Sequence, residues 1–139
     1  FLSVLPAMVL GLVPMVLLRW RMNLMTLEDE EARALGVETA RTRLVLIAAS
    51  TLMTSAAVSI SGIVGWIGLL IPHIARALVG PDFSKLLPAS LILGGCYLTL
   101  MDTLARSASV EIPLGILTAA VGAPFFLWLL LMTSRRGWN

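Results

Sequence analysis

The chain has 139 residues, of which 58% are hydrophobic and 13% charged, about half the charged fraction of an ordinary soluble domain. A formal net charge of +2 with no basic stripe interleaved with aromatics gives no surface for nucleic acid, and one cysteine, Cys96, excludes an internal disulfide or a multi-cysteine metal site. The charges are also segregated: residues 1–18, 44–75, 86–101 and 112–134 carry no Lys, Arg, Asp or Glu, the pattern of a chain whose solvent is lipid.

The sequence is apolar from Phe1 and shows neither the basic start nor the small-residue cleavage site of a signal peptide. We therefore expect the C-terminal part of a longer membrane protein. The first predicted span is 1–18, with Pro6 and Pro14 tolerable where neighbouring helices satisfy the freed carbonyls. Arg19, Trp20 and Arg21 then mark a headgroup interface. Residues 19–43 form a polar loop. Within it Thr26-Leu-Glu-Asp29 reads as a capping box with Thr26 as N-cap, Glu28 to Glu31 complement a helix dipole, and Gly36 reads as a stop. This predicts one short helix near 27–35 and a second near 37–42, both too polar to cross a membrane.

The run 44–75 is too long for one span and too short for two. Gly62, Gly65 and Gly68 interrupt it and Pro72 falls near its end, so the reading is a full helix over 44–60, a tight reversal over 61–66 and a short returning helix over 67–78. Gly80-Pro81-Asp82 supplies a turn. Two more spans follow, 86–106 with Pro88 in its first turn and 113–132 with Pro113 at N1. Arg135, Arg136 and Trp138 close the chain at an interface. The fold class is all-α: a polytopic transmembrane bundle of about five membrane helices, one of them short, plus two short cytoplasmic coupling helices. With 19–43 cytoplasmic, nine of the ten basic residues lie inside and Arg106 alone lies outside, in accord with the positive-inside rule. Without the short return over 67–78 this agreement is lost.

No complete active site is present. There is no GxxxxGK[ST] loop, no GxSxG, no HExxH and one histidine. Neither catalytic residues nor metal ligands nor a cofactor are expected.

The run Ile63-Val-Gly65-Trp-Ile-Gly68-Leu-Leu-Ile-Pro72-His73-Ile-Ala-Arg76 resembles the GFIGLVIPHIxR signature of the FecCD-type permeases. Further pieces match in that family's order: Leu27 to Val37, Leu86-Leu87-Pro88, Asp102 to Arg106, Glu111 to Thr118 and Gly122-Ala-Pro124-Phe125-Phe126. Departures are small, with Leu27 and Glu28 where Leu-Gly is usual and Trp66 where Phe is common. The resemblance implies the membrane subunit of an ATP-driven importer for iron-siderophore, haem or cobalamin in a bacterial or archaeal inner membrane. It implies as partners a second copy of the permease, cytoplasmic ATPase subunits and a periplasmic or lipid-anchored substrate-binding protein, with membrane lipid around them. It makes Glu30, Glu31, Ala32, Arg33 and Gly36 the ATPase-coupling loop, although a solvated connector would look similar. It makes Arg106 a docking residue for the binding protein, although Asp102 and Arg106 at i and i+4 also suit a plain helix pair. Gly62, Gly65, Gly68 and Pro72 read as helix-packing or pathway positions, and His73 as a packing residue bonded to a backbone carbonyl. Two other classes stay open. A proton-driven secondary transporter needs a carboxylate or His near the midplane, and an integral membrane enzyme fragment needs clustered acids or histidines. Asp102 and His73 both fall near predicted span ends.

Overall fold

The computed structural model of the chain describes residues 2–108 and 112–136. Glu111 and Trp138 lie outside the described residues, as do the side chains of Arg135 and Arg136. The described chain is helical with no strand: α1 Leu5–Leu24, α2 Asp29–Ala34, α3 Thr39–Ser61, α4 Ile67–Val79, α5 Phe83–Ser107 and α6 Leu114–Arg136. Four of these, α1, α3, α5 and α6, are long and apolar enough to cross a membrane. The 13-residue α4 is only about 20 Å long, short of the ~30 Å hydrocarbon core. The chain divides into two compact units, one holding residues up to Ser61 with Val79–Pro88, the other Gly62–Leu78 with residues from Ala89 onward.

In the first unit α1 lies on α3, and small residues set the approach. Gly11 is the buried position of α1, and a β-carbon there would stand 2.8 Å from the Ala49 carbonyl and collide with the Met53 side chain. The facing stripe of α3 is Thr42, Ala49 and Ala56, spaced by seven and all buried. Lipid tails are as apolar as Leu, so helices in a membrane gain from close backbone approach rather than from burial alone. Six hydroxyls punctuate the apolar part of α3, and each has an intrahelical acceptor. Ser50 and Thr51 donate to the Ile47 carbonyl, Thr54 to Ser50, Ser55 to Thr51, and Ser59 and Ser61 to Ala56 and Ala57.

In the second unit the non-helical segment 62–66 lies along α6. A β-carbon on Gly115 would stand 2.5 Å from the Ile63 carbonyl, and one on Gly122 would collide with Trp66, 2.9 Å from its Cγ. Trp66 itself has φ 66°, a left-handed conformation that bulky residues avoid, and Gly62 has φ 72°. The Trp66 and Phe126 rings are 5.4 Å apart. Non-helical backbone at membrane depth is tolerated where protein covers it, and α6 supplies that cover through its two glycines. Thr118, fully buried, donates to the Leu114 and Gly115 carbonyls.

Several boundaries differ from the sequence reading. α1 runs through Arg19-Trp20-Arg21 to Leu24, because an interface ends the hydrocarbon but not the helix. The separate helix over 37–42 does not exist: α3 begins at Thr39 and absorbs it. Thr26 is not the N-cap of α2. That position is Glu28, with no side-chain cap bond, and the Thr26 hydroxyl instead donates to the Asn23 carbonyl at 2.6 Å, closing the end of α1. Pro88 lies inside α5 rather than in its first turn, because Asp82 starts that helix earlier. Pro113 precedes α6 and its carbonyl accepts from Ile116 and Leu117, so it takes the N-cap position, not N1.

Candidate functional site

The candidate site is the corner that joins α1 to α3 through α2. Its shape follows from a C-terminal turn. α2 is six residues long, with Asp29, Glu30 and Glu31 in its first turn and Arg33 in its last, each sign at the end of the helix dipole that favours it. Gly36 follows with φ +81°. Its N–H donates to the Arg33 carbonyl at 2.9 Å and the Val37 N–H reaches back to Ala32 at 3.1 Å. These two bonds form a Schellman motif, and its usual apolar contact pairs Ala32 with Val37, which are 0% and 3% exposed. The turn delivers the chain into α3 with Thr39 and Thr42 buried. The turn between α2 and α3 is therefore closed by its own backbone bonds.

The outer surface of the corner is charged. Glu30, Glu31 and Arg33 are exposed, Asp29 meets Arg43 at 3.5 Å and Glu38 meets Arg41 at 3.9 Å. These exposed pairs each contribute about 0–1 kcal/mol, so they define a charge pattern more than a stability. Beside α2 an open depression of about 450 Å³ is lined by Arg33, Gly36, Val37, Glu38 and Arg41. It adjoins another of about 310 Å³ that extends to Leu18 and Arg21. An open, mixed-charge groove suits a protein surface better than a small molecule.

A second polar cluster stands in the same unit. The Asn23 side-chain amide donates to Asp82 Oδ1 at 2.7 Å, and its oxygen accepts the Phe83 N–H at 2.8 Å. The Ser84 N–H also donates to Asp82 Oδ1, at 2.9 Å. Asp82 is thus the N-cap of α5. The Ser84 N–H first, then the Asn23 amide and the Lys85 cation, hold its carboxyl below the usual range.

The remaining predicted residues are dispersed. Arg106 Nε donates to Asp102 Oδ2 at 2.9 Å near the far end of α5, with the arginine side chain 80% exposed. Of the glycines, Gly65 touches α6, with its β position 3.9 Å from the Gly115 carbonyl, while Gly62 and Gly68 meet nothing within 4 Å. Gly62 serves its turn through its positive φ, and Pro72 is an exposed position inside α4. The close-approach glycines are instead Gly11, Gly115 and Gly122. The seven-residue spacing of Gly115 and Gly122 was the available sequence signal. His73 lies within α4 and meets the Phe125 ring edge-on at 6.1 Å rather than a backbone carbonyl. Among the described residues no three His, Cys, Asp or Glu side chains gather as a metal site.

Residues 1–132 match the model of the FecCD transport family. The chain is 44% identical over 128 residues to the cobalamin import system permease protein BtuC of Halobacterium salinarum, covering 92% of this chain and 35% of the relative. It is 46% identical over 123 residues to the molybdate import system permease protein MolB of Haemophilus influenzae, covering 88% and 36%. It is 44% identical over 130 residues to the hemin transport system permease protein HmuU of Yersinia pestis, covering 92% and 38%. A solved structure of an ABC transporter assigned to the metal-chelate type, in an inward-facing conformation, superposes with a TM-score of 0.87 at 42% identity over 94% of this chain and 44% of that one. The chain thus spans less than two-fifths of the length of these curated relatives. With motifs, helices and relatives in agreement along most of its length, it is a multi-pass membrane chain that belongs to the FecCD transport family.

Proposed function

We propose that the chain is part of the membrane-spanning permease of an ATP-driven importer of metal chelates, that it forms the translocation path with a second copy of the permease, and that α2 with Gly36 receives a separate cytoplasmic ATPase subunit. The observation that carries this reading is the α2 corner: a short charged helix closed at its C-terminus by the Gly36 turn, which leads into a spanning helix. ATP-driven closure of the partner would press on Glu30, Glu31 and Arg33, and a rigid corner would pass that motion to α3. The hydrolytic chemistry belongs to the partner in this reading. Relatives named for cobalamin, molybdate and hemin match at nearly equal identity, so substrate choice lies mainly outside the matched residues.

The Asn23–Asp82 bond supports the orientation. It brings the end of α1 and the α4–α5 turn together, which requires both on one face of the membrane and suits a short return through α4. Arg106, near the opposite end of α5, would then face outward and meet an acidic binding protein. The test is cross-linking in the full-length transporter: a cysteine at Glu30 should cross-link to the ATPase subunit from the cytoplasm, and Gly36→Val should depress uptake while the binding protein still docks. No cross-link and unchanged uptake would make α2 a connector.

A further inference from the structure

Asn23 and Asp82 are 59 residues apart in sequence and share a 2.7 Å hydrogen bond. Every polar atom of the Asn23 amide group is committed. The nitrogen donates to a carboxylate, and the oxygen accepts the first N–H of α5. A flipped amide would turn its oxygen to the carboxylate and its N–H₂ to an N–H, so both contacts would repel. Asn23 is also tied toward α2, because its carbonyl accepts the Thr26 hydroxyl at 2.6 Å and the Thr26 N–H at 3.3 Å. On the other side Asp82 organises the start of α5: its carbonyl accepts from Lys85 and Leu86, and its side chain from Ser84. The orphan N–H groups that a helix leaves at its start are here satisfied partly by a residue from another helix.

We propose that Asn23 and Asp82 are a positioning clamp that holds the approach to α2 on the first turn of α5, so that a push on α2 reaches the helix that carries Arg106. The proposal rests on the coupling role of α2 set out above. α5 is continuous from Phe83 to Ser107, and Asp82 and Arg106 mark its two ends. A bond at one end and a docking cation at the other make α5 the element through which ATPase and binding protein sense one another. The clamp acts on geometry and touches no substrate.

A pair of variants isolates this geometry. In Asp82→Ser the hydroxyl can still accept from the Ser84 N–H and cap α5, but the shorter side chain gives up the Asn23 amide, which in the wild type shares the same carboxylate oxygen with Ser84. The experiment uses the full-length permease with its ATPase and binding protein in lipid vesicles, and reads uptake per ATP hydrolysed alongside thermal unfolding. Asn23→Leu should assemble and hydrolyse ATP but lose about five-fold in uptake per ATP, and Asp82→Ser should lose in the same direction. A purely structural bond would lower the unfolding temperature and leave uptake per ATP unchanged, and that result overturns the proposal. Asp82→Ser decides the matter if Asn23→Leu fails to assemble. Gly36→Val separates the two ideas. If it leaves coupling intact, the role of α2 falls; if it uncouples while Asn23→Leu does not, the clamp alone falls.

Discussion

Two turns in this chain use the same left-handed backbone and secure it in different ways. At Gly36, φ +81°, a β-carbon would meet nothing within 4 Å, and the turn is held by two backbone hydrogen bonds and the Ala32–Val37 contact. At Gly62 to Trp66 the backbone is again left-handed at both ends, but the segment lies flush on α6 over Gly115 and Gly122. The first turn stands at a polar corner where water takes what the hydrogen bonds leave. The second interrupts an apolar run, where unsatisfied backbone is costly and cover by protein is the remedy. Glycine is needed on the turn in one case and beneath it in the other.

The largest expected effect tests the covered turn. Gly122→Leu places a side chain where Trp66 sits. Overpacking a filled site costs about 1–3 kcal/mol or more, so purified yield and unfolding temperature should fall sharply. Gly122→Leu combined with Trp66→Ala should recover part of the loss. Wild-type stability in Gly122→Leu alone would show that the segment does not rest on α6.

Next comes the open turn. Gly36→Val meets no neighbour, so its cost is backbone strain alone, about 1–2 kcal/mol. Assembly should survive and uptake should fall, as measured in vesicles. A loss of assembly as severe as that of Gly122→Leu would erase the contrast between the two turns.

The helices were legible because lipid imposes one rule on every residue of a span. The uncharged runs 1–18, 86–101 and 112–134 overlie α1, α5 and α6, the run 44–75 covers most of α3 and α4, and the glycine interruption lay where α3 ends and α4 begins. Gly36 was legible because a left-handed stop demands it. The ends of helices were not, since water supports α1 past Trp20 and α3 back to Thr39 as readily as lipid supports their middles. Thr26 had two neighbouring helix ends to cap, and sequence alone assigned the wrong one. The Asn23–Asp82 pairing has no local signature, because nothing in either segment announces a partner 59 residues away.

A smaller effect concerns pH. Asp82 titrates below the ordinary carboxylate range because of its bonds to Ser84 and Asn23. Its contribution is therefore present above the unfolded-state pKa and is lost as pH falls through the lower folded value. Asp82→Asn should be less stable than wild type at neutral pH and equal to it once both are neutral in acid. Thermal unfolding in detergent across pH reads this difference, and a constant gap down to acid pH would mean the charge is irrelevant.

Smallest is Arg106→Gln. The Asp102 pair is exposed and contributes about 0–1 kcal/mol to the fold, so stability should hardly move. Affinity for the binding protein should fall, most at low salt, because screening already weakens the attraction at high salt. An unchanged affinity with an unchanged salt dependence would leave Arg106 serving Asp102 alone.

The hydroxyl ladder of α3 makes that helix indifferent to its surroundings. Each of the six Ser and Thr side chains in its apolar part is already bonded to the preceding turn, so hydrocarbon deprives none of these six of a partner. Each hydroxyl oxygen also keeps acceptor capacity that water can use. Such a surface can be wetted and dried without breaking an internal bond. In a transporter whose helices exchange one environment for another, the barrier to that exchange along α3 is then set by packing rather than by desolvation.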